Sequence, residues 1–168
     1  MCLVMSIDPR TPVLVGQGQI VNRTNTLADA REPAVLIAEA IRQATSDANL
    51  SAIPEIDALH IVRLLSWKYT NPAHTVASLL GIKAHTYGIT PHGGNMPQYL
   101  VNSAALQIRD DGAQMIVLTG GESFRSRRRA RAASLGVLEQ EFIVPGNIVA
   151  DGEVVGNQAT QALLLILR

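Results

Sequence analysis

The stretch Ala113-Gln114-Met115-Ile116-Val117-Leu118-Thr119-Gly120-Gly121-Glu122-Ser123 decides how the rest of the chain is read. It is an unbroken apolar run stopped by paired glycines, the pattern of a strand covered on both faces and ended by a sharp turn. Immediately upstream, Met96 to about Arg109 carries Leu100, Ala104 and Ile108 on one helical face, with Val101 and Ala105 beside them. Asn95 stands where it can cap that helix. A helix running into a fully buried strand is the closing part of a β-α-β unit, and such units build parallel sheets.

Outward from this point the same alternation recurs. Thr11-Pro12-Val13-Leu14-Val15-Gly16 reads as a buried strand, and residues 22–31 as a polar loop. Pro33 opens a helix that places Ile37, Ile41, Ala44 and Ala48 on one stripe. Ile56 to Val62 reads as a second strand. Pro72 to Leu80 is a short helix ended by Gly81, and His85 to Thr90 a weaker third strand. The expected fold is therefore α/β, with a mostly parallel, mixed sheet and helices on both faces. Residues 1–124 form this domain, and 125–168 the incomplete start of a loop or cap region. Ala159 to Leu167 (ATQALLLIL) is nearly all apolar. It reads either as a terminal helix docked on the core or as the edge of a truncated domain, and truncation is the reading adopted.

The chain has 168 residues, 47% hydrophobic and 17% charged, with a formal net charge of zero. Such a balance offers no overall field for nucleic acid or an anionic membrane, so neither is an expected partner. One cysteine, Cys2, fits a reducing cytoplasmic setting, and no apolar run reaches the roughly 20 residues of a membrane span. The start of the chain lacks the cationic flank and length of a signal peptide.

Three motifs bear on chemistry. Gly16-Gln17-Gly18-Gln19-Ile20-Val21 follows a strand, but Val21 replaces the third glycine of a dinucleotide fingerprint and no helix begins at once. A bulge or strand-end turn accounts for it better. The histidines His60, His74, His85 and His92 show no metal-ligand spacing, so no metal site is expected. His92-Gly93-Gly94-Asn95-Met96-Pro97-Gln98 follows a strand and opens a helix, where backbone N–H groups favour negative charge. A tight turn that needs glycine for its backbone angles is the competing account.

The order of elements, Thr11 to Gly16, the turn and helix from Gly93 to Arg109, and the Gly120-Gly121-Glu122-Ser123 turn together resemble the N-terminal half of the thiolase superfamily. The likeness spans about residues 10–125 and is nearest the sterol-carrier-type thiolases and the thiolase-like acetyl-CoA acetyltransferases of actinobacteria. It implies an acyltransferase acting on coenzyme A thioesters, with no permanently bound cofactor. Counting back without gaps from Glu122 puts Gly94 where the family carries its nucleophilic cysteine, and a glycine has nothing to acylate. The family's other catalytic groups belong to a C-terminal half that is not present here.

The same likeness gives His92 and Asn95 as possible hydrogen-bond donors to a thioester oxygen. It gives Arg125, Arg127, Arg128 and Arg129 as a grip for the coenzyme's phosphates; a solvated helix face is the alternative for that run. It also implies a homodimer or an OB-fold/zinc-ribbon partner protein. Three functions stay open: an acyltransferase-like protein incompetent on its own, a noncatalytic acyl-CoA-binding or scaffold subunit, and a retro-aldol lyase acting on acyl-CoA side chains.

Overall fold

The computed structural model describes residues 8–24, 26, 28–132 and 160–166, with side chains up to residue 129. The element order is β1 (Val13–Ile20), α1 (Pro33–Asp47), β2 (Ile56–Ile61), α2 (Pro72–Leu80), β3 (Ala84–Ile89), α3 (Met96–Asp111), β4 (Met115–Gly120), α4 (Phe124–Ala132) and β5 (Thr160–Ile166). The strands form one mixed sheet in the order β1-β5-β4-β2-β3. β2 runs parallel to β3 and β4, whereas β5 is antiparallel to both β4 and β1. β1 therefore runs with β4, and among the described strands β5 alone is reversed. Residues 160–166 are thus a strand between two others, not a docked helix, and they share the sheet of β1 to β4. Most of segment 125–168, including the reading of Ala159 itself, lies outside the described residues, as does Cys2.

The faces follow from the direction of travel across the sheet. β1 to β2 and β2 to β3 step the same way, so right-handed crossovers place α1 and α2 on one face. β3 to β4 steps back past β2, and α3 falls on the other. The core divides accordingly. Leu59, Ile61, Met115 and Val117 pack with Ile37, Ile41 and Val76, while Ala58, Ile116 and Leu118 pack with Leu100, Ala104 and Ile108. Alternate residues of β2 and β4 feed opposite layers, which is why their sequences show no polar face.

Helix ends are set by proline and glycine. Pro33, Pro72 and Pro97 sit in first turns, and Gly81 and Gly112 close α2 and α3 at φ 68° and 79°. The Asn71 side chain caps α2 by accepting from the Ala73 amide at 3.0 Å. Asn95 does not do the same for α3. It is already helical at φ −86°, ψ −6°, and its side chain makes no capping bond.

The Gly16-Gln17-Gly18 motif lies inside β1, with an irregular register between Leu14 and Gly16. Its glycines have a packing reason. A Cβ on Gly16 would stand 2.2 Å from the Ala44 carbonyl oxygen, and one on Gly18 2.1 Å from that of Ala40. Helix α1 lies directly on the strand backbone there. From the same helix, Asp47 and Gln43 accept the Gln17 and Gln19 amides at 2.9 and 3.2 Å.

Candidate functional site

A cleft of about 850 Å³ opens beyond the carboxyl ends of β2, β3 and β4. That end of an α/β sheet is where ligands usually bind. Val62, Leu65, Leu100, Val101 and Leu118 give it apolar walls, and the polar groups at its surface include Arg63, His92, Gln98 and Glu122. The His92-Gly93-Gly94 turn, brought there by β3, forms one side; the Gly120-Gly121-Glu122 turn, brought by β4, forms the other. Close strand approach explains Gly120, whose Cβ would stand 3.1 Å from that of Val62.

Glu122 organises this end of the sheet. Its carboxylate accepts the amides of Leu65 and Ser66, the latter at 2.7 Å, and so fixes the loop after β2. Burial pushes the Glu122 carboxyl above its ordinary range, against the lowering pull of those hydrogen bonds and of the Arg127 charge. The neighbouring polar groups interlock. Ser66 Oγ accepts the Ser123 amide at 2.9 Å, Ser123 Oγ donates to the Arg31 carbonyl at 2.9 Å, and Arg127 Nη1 donates to the Ser66 carbonyl at 3.1 Å. Tyr69 Oη donates to Glu32 at 2.9 Å, and burial drives its pKa upward. The loop thereby joins α1, β4 and α4, and its Trp67 is 2% exposed.

Gly94 faces the cleft. A Cβ built on it meets nothing within 4 Å, and its φ is not in the left-handed region. The turn therefore does not require glycine at this position. Neighbouring Gly93 is different, because its Cβ would come 2.7 Å from Asn95 Oδ1. His92 is exposed on the cleft wall, whereas Asn95 is not among the lining residues. The donor set at the start of α3 is thinner than the sequence implies: the Met96 amide is bonded to the Gly93 carbonyl at 3.1 Å, and Pro97 has no N–H.

The arginine run does not line the cleft. Arg127 is fully buried and engaged with Ser66. Arg129 donates to the Thr24 carbonyl, Arg125 is half-buried, and Arg128 is exposed. The cation at the cleft is Arg63, which sequence reasoning passed over. Its position just after a predicted strand end was the signal available. Ser66 gave none, since nothing in a single sequence pairs it with residues some 60 positions on.

The remaining histidines lie elsewhere. His60, on β2, is half-buried with its pKa lowered by burial, and Gly88 makes room for its ring. His74 stacks on Tyr87 with ring centroids 3.9 Å apart. His85 lies 3.3 Å from Asp57. Among the described residues no cluster of His, Cys, Asp and Glu is arranged to hold a metal. None of the described helices is long and apolar enough to cross a membrane.

By sequence, the chain matches no protein-family model and no curated protein. By fold it matches solved structures of thiolase-like enzymes. A monomeric SCP2-thiolase like protein type 1 from Mycobacterium smegmatis superposes with a TM-score of 0.65 at 19% identity, over 96% of this chain and 46% of that one. The 3-oxoacyl-(acyl carrier protein) synthase III FabH of Pseudomonas aeruginosa gives 0.61 at 16%, over 94% and 52%. A variant of Xanthomonas campestris OleA, solved with lauric acid and lauroyl-CoA, gives 0.58 at 14%, over 94% and 56%. The fold is thus thiolase-like. The chain spans about half the length of these proteins.

Proposed function

We propose that this chain is the acyl-thioester-binding part of an acyltransferase-like protein of the thiolase superfamily, nearest the sterol-carrier-type acetyl-CoA acetyltransferases. It holds a coenzyme A thioester in the cleft without forming a covalent adduct at the mouth of α3. The observation that carries this reading is Gly94. It faces an apolar cleft, in the position that ungapped counting from Glu122 gives to the nucleophile, with space for a side chain and none present.

A cysteine there would attack the thioester carbonyl, form an enzyme thioester and release the coenzyme A thiol. The start of α3 would favour its thiolate. Glycine leaves binding as the function of this site. Arg128, the exposed member of the arginine run, and Arg125 remain the residues proposed for the coenzyme's phosphates; Arg127 is committed to Ser66. The reading includes a cytoplasmic chain acting as a homodimer or with an OB-fold/zinc-ribbon partner.

The test combines acetyl-CoA titration with intact-mass analysis of the wild type and Gly94→Cys. Both should bind, only the variant should gain an acetyl group, and hydroxylamine should remove it. Acetylation of the wild type, or failure of both proteins to bind, overturns the proposal.

A further inference from the structure

Arg63 is an exposed cation at the edge of a largely apolar cleft, and among the described residues its side chain has no carboxylate partner. Its backbone is held firmly. The Arg63 amide donates to buried Thr90 Oγ1 at 3.0 Å, and the preceding Val62 amide donates to the Thr119 carbonyl at 2.8 Å. The residue is therefore pinned between the ends of β3 and β4, beside the turn that carries Gly94. The carboxylate closest to hand in the lining, Glu122, is already occupied by the Leu65 and Ser66 amides. An apolar wall with an exposed guanidinium on a firmly held backbone, beside a carboxylate already engaged by two amides, is matched by a ligand with an apolar body and an anionic end.

Resting on the thioester reading above, we infer that the cleft prefers acyl thioesters whose acyl chain ends in a carboxylate, with Arg63 as the residue that selects it. The guanidinium fork pairs with a carboxylate through two parallel N–H···O bonds, a geometry that a methyl end or an ester cannot reproduce.

Binding of glutaryl-CoA and of its ω-methyl ester by calorimetry isolates this charge, because both ligands carry the same coenzyme. The wild type should bind glutaryl-CoA about tenfold more tightly, the scale of one charge-assisted contact. Arg63→Met should lose that preference while keeping its affinity for the ester, and Arg63→Lys should retain part of it. Thermal melting confirms that the exposed substitutions leave the fold intact. Equal affinities in the wild type overturn the inference and leave the thioester reading standing. Equal weakening of both ligands by Arg63→Met also overturns it, assigning Arg63 to a phosphate instead. Failure of every thioester to bind overturns both.

Discussion

The Glu122 carboxylate, in the turn after β4, accepts the backbone amide of Ser66 at 2.7 Å, joining residues 56 positions apart across the mouth of the cleft. Leu65 donates to the other oxygen. A carboxylate that receives two consecutive amides holds a loop in one conformation, because turning away would leave the amide of buried Ser66 without an acceptor. The apolar wall supplied by Leu65 therefore depends on the charge state and shape of one side chain.

Glu122→Gln tests this directly. Its amide nitrogen would face one of the two donors, leaving that N–H unpaired at a cost of about 1–3 kcal/mol. The expected result is a lower Tm, by roughly 2–4 °C for each kcal/mol in a domain of this size, together with weaker thioester binding. An unchanged Tm would show that the loop is held by other contacts.

Alanine at two glycines should have opposite outcomes. Gly18→Ala drives a Cβ to 2.1 Å from the Ala40 carbonyl oxygen, where backbone must yield, and should cost about 3 kcal/mol. Gly94→Ala enters open space without a left-handed φ and should fall within about 0.5 kcal/mol of the wild type. Urea titrations of both variants check the contrast. Comparable losses would contradict the account of the cleft given above.

Asp57 supplies a pH dependence. Its Oδ2 accepts the Gln114 and Met115 amides at 2.7 and 3.0 Å, tying the start of β4 to β2. These bonds, that of Met115 foremost, lower its pKa below the ordinary 3.8. Between the folded and unfolded values the unfolded chain binds more protons. The stabilisation is thus present above pH 3.8 and lost as pH falls through the lower, folded value. Asp57→Asn should melt a few degrees lower than the wild type at pH 7, with the gap closing in acid. A gap that stays constant to pH 2 would remove Asp57 as its source.

Period and punctuation made the parallel part of the fold legible. α1 and α3 announced themselves by apolar residues at helical spacing, and β2 and β4 by short runs without a polar face. β5 was not legible in the same way. Its Leu-rich run suits helix propensity, and a strand flanked on both sides carries no alternation to distinguish it. The cleft was half legible: His92, Gly93 and Gly94 followed from a turn at a strand end. Arg63 and the Ser66–Glu122–Arg127 cluster did not, because hydrogen bonds across some 60 residues leave no local pattern. The arginine run misled in one respect, since Arg127 reads as a surface charge and is fully buried.

The reversed strand between β1 and β4 also constrains how the molecule is made. β1 leaves the ribosome well before its neighbour among the described strands of the sheet, which is paired with it from Val13 with Ile166 to Ile20 with Thr160, and three strands and four helices are made in between. Until then, among the described elements, β1 has α1 to lie on and β4 carries an open flank. Closure over so long a separation makes assembly slow relative to helix formation. The nascent chain must therefore keep two sticky edges apart until β5 slides in between them.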